Sequence, residues 1–234
     1  MLNSVLRGAI TFYDRDGTKI GQAKLNVIRK YPERLRVELD RGDSVEVWGV
    51  DQATAWKSDA PNLSESEARD IRAWLRLCPE RLFVTRGSGA SYREAGERRE
   101  DFKASRPWQD QVRINPPLQL QQVEVEDVIG QPPTPNRAGD RRLVTFYINR
   151  QDFTVEAARW LEPDDPNRSI DDLSAAKTDV RVDFSDWRAV GGVAWPFEII
   201  HRLGGKVDFR ITVNQVLLNQ PLADALFQNP GISR

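Results

Sequence analysis

The chain opens on a period-two alternation of apolar and polar positions. Leu6, Ile10 and Phe12 share one parity with Gly8 between them, while Arg7, Ala9, Thr11 and Tyr13 take the other. Asp16-Gly17 supplies a hairpin turn, because glycine tolerates the positive φ that tight turns demand. A second strand sets Ala23, Leu25 and Val27 against Gln22, Lys24 and Asn26. The clearest alternation follows, with Leu35, Val37 and Leu39 against Arg34, Arg36, Glu38 and Asp40. Such patterns mark strands with one buried and one wet face, as antiparallel sheets have. Arg41-Gly42-Asp43 turns the chain again, and Val45 and Val47 begin the next strand.

Residues 64–78 change period. Ser64 and Glu67 fit a capping box, in which each side chain satisfies a backbone donor at a helix start. Ala68, Ile71, Trp74, Leu75 and Cys78 recur at three- and four-residue steps as an apolar stripe, and Pro79 stops the helix. From about 84 to 117 the chain is rich in Gly, Ser, Arg and Glu and shows no strand pattern, with Gly87-Ser88-Gly89 at a loop tip. Alternation resumes at Val123 and Val125, then at Val144, Phe146 and Ile148, and from Val155 to Leu161. The Pro-rich stretch Gly130 to Asp140 and the polar stretch Pro163 to Thr178 read as loops. Val180, Val182 and Phe184, then Phe197 to Ile200, and finally Phe209, Ile211 and Val213 around Gly204-Gly205 complete the series. Roughly ten strands, one clear helix and no βαβ alternation predict a mainly β protein.

Length allows this to be one unit, since β barrels and sandwiches often reach 234 residues. Formal net charge is −1, which argues against a general nucleic-acid binder, because such proteins carry a basic excess. No stretch approaches the ~20 apolar residues of a membrane-spanning helix. One cysteine, Cys78, forbids an intrachain disulfide. The opening Met1-Leu2-Asn3-Ser4 shows no secretory signal, which leaves a cytosolic protein or one whose leader was removed.

Chemistry-bearing residues are sparse. His201 is the only histidine, so any Ser-His-Asp or Cys-His centre would depend on it. It sits in a strand pattern beside Ile199 and Ile200, and a structural role is the simpler reading. Cys78 closes the apolar helix stripe and reads as a small buried hydrophobe rather than a nucleophile. One His and one Cys cannot build a zinc site of nitrogen and sulfur ligands, so no metal is expected. Asp14, Asp16 and Gly17 faintly resemble a calcium loop, but the later acidic positions are missing and a hairpin turn fits better. Asp164-Asp165 and Asp171-Asp172 lie in a polar loop, and a hydrolase using carboxylates alone offers no particular pair to name. There is no phosphate loop or dinucleotide fingerprint, so no cofactor is expected. The seven tryptophans (48, 56, 74, 108, 160, 187 and 195) are the more telling feature, as core filling or as the lining of an apolar cavity. A sheet of ten strands is too wide for one helix to cover and would leave such a cavity.

The most specific signal lies in the last fifty residues. Phe184-Ser185-Asp186-Trp187-Arg188-Ala189-Val190-Gly191-Gly192-Val193-Ala194-Trp195-Pro196 leads to a hairpin at Gly204-Gly205, and the chain closes on Asn219-Gln220-Pro221-Leu222-Ala223-Asp224-Ala225-Leu226-Phe227-Gln228-Asn229-Pro230. These segments resemble the closing part of the bacterial LolA/LolB-like superfamily of lipoprotein carriers and envelope-stress sensors. Tyr31-Pro32-Glu33-Arg34-Leu35-Arg36 and the hairpin from Asp51 to Trp56 are similar to its front half, with Gln52 standing where the family pattern has glycine.

The resemblance implies one domain over residues 1–234: a single, strongly curved antiparallel sheet, an incomplete barrel with helices on its concave face. A helical lid would occupy about 60–83, and an irregular segment about 84–117. The family's N-terminal helix has no counterpart here. The implied protein is non-enzymatic, periplasmic or otherwise of the cell envelope, and binds an acyl chain, lipid or lipoprotein. It touches no nucleic acid and makes at most peripheral contact with a membrane. Ile71, Trp74 and Leu75 would face the ligand from the helix, and Phe12, Leu25, Leu35, Val37, Val47, Phe146, Val182, Phe184 and Ile211 from the sheet. The alternative is an envelope sensor or adaptor that grips a protein partner through sheet edges and the loops at 84–117 and 130–140.

Overall fold

The computed structural model describes residues 3–31, 33–52, 54–60, 62–77, 92–99, 119–129, 140–165 and 174–230. They form one antiparallel sheet of twelve strands. In chain order the strands are β1 (Asn3–Tyr13), β2 (Lys19–Lys30), β3 (Arg34–Asp40), β4 (Val45–Asp51), β5 (Thr54–Lys57), β6 (Tyr92–Arg99), β7 (Gln119–Ile129), β8 (Asp140–Asn149), β9 (Val155–Pro163), β10 (Lys177–Val190), β11 (Val193–Leu203) and β12 (Lys206–Leu218). One α-helix, α1 (Glu65–Ala73), continues into a 3-10 turn at Trp74–Arg76. Cys78, Pro79, Gly87-Ser88-Gly89, Trp108, Asp171-Asp172 and the loop 130–139 lie outside the described residues.

The sheet order is β5-β4-β3-β2-β1-β12-β11-β10-β9-β8-β7-β6. The chain therefore starts in the middle, winds out to the β5 edge, crosses to the β6 edge, and winds back until β12 pairs with β1. Every other pairing joins consecutive strands. The β1–β12 pairing is the one that joins the two halves, over a sequence separation that makes it entropically the hardest to form.

The sheet is open and strongly curved. Trp48 on β4 and Phe209 on β12 are four strand steps apart, about 19 Å on a flat sheet. Yet both rings lie 5.5 Å from the ring of Trp74, so they stand no more than twice that distance apart. Backbones crowd closely at two glycines in the sheet. A Cβ on Gly8, at the β1 bulge, would lie 2.1 Å from the Thr212 carbonyl oxygen, and one on Gly49 would lie 2.3 Å from that of Leu35. Only glycine permits either. The hairpins β10–β11 and β11–β12 turn on Gly191-Gly192 and Gly204-Gly205, all four at positive φ.

Twelve strands exceed the roughly ten that alternation predicts. The additions are the short β5, which pairs with β4, and β6, whose sequence YREAGERR lies inside the segment without a strand pattern. An edge strand needs no apolar alternation, and charge along it discourages pairing with other chains. The helix is shorter than the stripe from Ser64 to Cys78 implies: α-geometry ends at Ala73 and tightens to 3-10. Its start is as expected, with Ser64 accepting from the Glu67 backbone and Glu67 accepting from the Ser64 backbone.

The tail after β12 is strapped onto the convex face of β2–β5. Asp224 pairs with Lys30 and, at 2.6 Å, with Arg34, and these two cations hold its carboxyl below the usual carboxylate range. Arg36 donates to the Leu226 carbonyl and the Trp56 indole to that of Phe227, whose side chain has 0% exposure. The closing motif thus fastens the end of the chain across the first half of the sheet.

Gln52 has φ 57°, the left-handed region that costs a non-glycine residue roughly 1 kcal/mol. Replacing it with glycine, Gln52→Gly, should raise unfolding stability by up to about 1 kcal/mol in a urea titration. An unchanged or lowered midpoint would mean that the Gln52 side chain compensates for its backbone.

Candidate functional site on the concave face

The register fixes which residues face inward. Trp48, Val37, Val27, Leu6 and Val216 lie directly opposite one another across β4, β3, β2, β1 and β12. A parallel row joins Val50, Leu35, Arg29 and Ser4. On the other half, Ile211, Ile199 and Phe184 form one row, and Phe209, His201, Val182, Ala158, Phe146 and Val123 another. One contiguous apolar cluster joins the two halves to Ile71, Leu75 and Leu77 from the helical segment.

α1 lies against β4 and β5, at one edge of the sheet. Its topology explains why it is there, since the chain must leave the β5 edge to reach the β6 edge. The 3-10 turn then carries Trp74 inward. Its ring lies edge-to-face with Trp48 and stacks on Phe209 at 8°. Phe209 also stacks with His201 at 4.5 Å and meets Phe12 edge-on at 6.4 Å. Aromatic contacts of this kind contribute about 0.5–1.5 kcal/mol each beyond area burial. One tryptophan from the helical segment therefore ties strands from both halves of the sheet.

Most residues anticipated from the sequence fall in this region. Leu25, Leu35, Val37, Phe146, Val182, Phe184, Ile211, Ile71 and Leu75 are buried in the cluster, and Phe12 and Trp74 are half-buried against it. Leu35, Val37 and Val182 have 0% exposure, so they bound no open space. Val47 is misplaced by the sequence reading. It lies opposite Glu38 on the convex side, and Trp48 and Val50 are the inward residues. β4 is apolar at both parities, and only pairing with β3 fixes its phase.

His201 donates or accepts through Nδ1 with Asp208 at 3.0 Å and offers its ring face to Phe209. It serves the aromatic stack. Two buried cations lie on the same face, Arg29 on β2 and Arg76 in the 3-10 turn, and both have interaction partners. The Asp14 carboxylate accepts from the backbone of Asp16 and Thr18 at 2.9 and 2.8 Å, so it closes a turn. Among the described residues no group of three or more His, Cys, Asp or Glu is placed to hold a metal ion. Among them, too, no helix is long and apolar enough to cross a membrane.

The convex face of the second half is charged. Arg159, Arg181 and Arg202 stand directly opposite one another, which like charges resist. Asp183 bridges Arg181 and Arg202 at 2.6 and 2.7 Å, and Asp179 holds Arg159 at 2.6 Å. The concave face is thus apolar and aromatic, whereas the convex one carries these ion pairs beside a small buried cluster of Leu120, Tyr147 and Ala157.

No protein-family model and no curated protein matches the sequence significantly. Solved structures do match. A LolA superfamily protein from Nitrosomonas europaea aligns over 97% of this chain and 90% of that one, with 14% identity and a TM-score of 0.52. A candidate outer membrane lipoprotein-sorting protein domain from Vibrio parahaemolyticus aligns over 96% and 88%, with 7% identity and a TM-score of 0.49. A DUF1329 family protein from Desulfovibrio piger aligns over 99% and 91%, with 10% identity and a TM-score of 0.46. The first of these bears on the architecture, and over nearly the whole length of both chains: the protein has a LolA-like fold.

Proposed function

We propose that this is a non-enzymatic protein of the cell envelope that holds an apolar chain (of a lipid or lipoprotein) on its concave face. The observation that carries the proposal is the position of Trp74. It is a large apolar side chain, delivered by a helical segment anchored at one sheet edge, and it occupies the centre of an apolar concave face. A segment of that kind can swing away and leave behind a seat of matching shape. The acyl chain takes that seat, bounded by Phe12, Leu25, Leu35, Val37, Ile211, Phe184, Val182 and Phe146, with Ile71 and Leu75 on the departing helix. The LolA-like fold supports this reading as an analogy of architecture. Peripheral contact with a membrane would suffice to load it.

Because ligand and Trp74 compete for one place, each ligand molecule bound must displace Trp74's own contacts. Trp74→Ala should lower unfolding stability by about 2–3 kcal/mol, through two lost aromatic contacts and the buried area. The same variant should bind a fluorescent fatty acid such as cis-parinaric acid roughly tenfold more tightly than the wild type, since closure no longer competes as strongly. Native mass spectrometry should find one acyl species per chain. Absence of saturable binding in both proteins would sink the carrier reading.

A further inference from the structure

Phe153 stands at the tip of the β8–β9 hairpin and is the most exposed large apolar side chain among the described residues, at 77%. Its φ is 61°, in the left-handed region. A bulky residue is strained there, and glycine takes the same conformation without strain. Burial does not offset the strain, because the ring stands in solvent. Hairpin closure does not use the side chain either. Asn149 N–H donates to the Thr154 carbonyl and Phe153 N–H to that of Asn149, both at 2.8 Å, and these are backbone bonds that glycine would also make. The tip therefore bears two costs, an exposed aromatic ring and a strained backbone, that glycine would remove together. Strain that the fold does not recover points to a contact outside the chain.

The loop holds the ring in a fixed direction. Besides the two closing bonds, the Asn149 side chain accepts from Gln151 N–H at 2.9 Å, and Asp152 Oδ1 accepts from the Thr154 N–H and hydroxyl at 3.0 and 2.7 Å. A ring already held in place loses little freedom on docking. Its neighbours distinguish a protein from a bilayer. Arg150 and Asp152 flank the tip with opposite charges, so no basic excess draws it to an anionic membrane surface. One aromatic without such support anchors weakly, and the Asp152 carboxylate would have to follow it into the headgroup layer. A rigid aromatic set among polar groups instead has the form of an interface anchor, with its ring in a pocket and hydrogen bonds around it. Asp152 commits Oδ1 to Thr154 and leaves Oδ2 unused among the described residues.

We propose that the β8–β9 hairpin is a protein-docking element. Phe153 enters an apolar pocket of a folded partner, and the rim of that pocket sets a cation or an N–H donor against Asp152 Oδ2. This does not depend on what the concave face holds.

The test uses the full chain. Phe153→Gly should keep or raise the urea midpoint and leave cis-parinaric acid binding unchanged. With p-benzoylphenylalanine in place of Phe153, irradiation in an envelope extract of the source cells should give one discrete protein crosslink. An excess of the unaltered chain should abolish that product, whereas the same excess of the Phe153→Gly chain should leave it. In calorimetric titration the purified partner should bind the unaltered chain at least about tenfold more tightly than the Phe153→Gly chain. Asp152→Asn should slow association and flatten its dependence on salt. A lowered midpoint for Phe153→Gly would make the ring part of the fold and overturn the proposal. So would the lack of any protein crosslink, or a crosslink that the Phe153→Gly chain competes away equally well. Co-sedimentation with phosphatidylethanolamine/phosphatidylglycerol vesicles that Phe153→Gly abolishes would overturn it in favour of a bilayer. Loss of acyl binding with docking intact would overturn the carrier reading alone.

Discussion

A twelve-stranded antiparallel sheet with a broad apolar concave face has to hide that face, and the one α-helix among the described residues, nine residues long, cannot cover it. Curvature does most of the hiding. It brings Trp48 and Phe209, from opposite sides of the β1–β12 seam, within reach of the one tryptophan that the helical segment supplies. Backbones crowd at Gly8 and Gly49, where only glycine fits, and the chain order joins first and last strands in the middle of the sheet. The C-terminal strap, held by Asp224, Arg34, Lys30 and the Trp56 indole, secures the convex side of the half that bears the helix. The helix, the aromatic stack and the strap therefore share the work of keeping an open sheet folded.

Much of this could be read from the chain. The Leu35/Val37/Leu39 alternation names the inward face of β3 correctly because its other parity is wholly charged or basic. Ser64 and Glu67 locate the helix start because a capping box involves only four consecutive residues. The positive φ at Gln52 gives a physical reason for the glycine that the family pattern has at that position. What sequence could not supply was phase or partnership. β4 carries apolar residues on both parities, so Val47 and Trp48 exchange roles once pairing with β3 is fixed. β6 is mostly charged and leaves no apolar alternation to find.

The centre of the site was the least legible. Trp74 belongs to a helix stripe, which is local, but its partners are far along the chain, and nothing in periodicity links it to Phe209 or His201. His201 drew notice as a possible base and proves to be an aromatic neighbour of Phe209 with an acidic partner, Asp208. Phe153 drew no notice at all; its left-handed backbone and exposed ring are visible solely in three dimensions.

The central claim is that an acyl ligand takes the place of Trp74 and displaces the helical segment that carries it. Hydrogen–deuterium exchange of the full chain, with and without saturating acyl ligand, addresses this most directly. The account predicts faster exchange across Glu65–Arg76 in the bound state, while β1, β2 and β12 keep or gain protection. Saturable binding with Glu65–Arg76 unchanged or slowed would contradict it, and would place the ligand somewhere other than beneath Trp74.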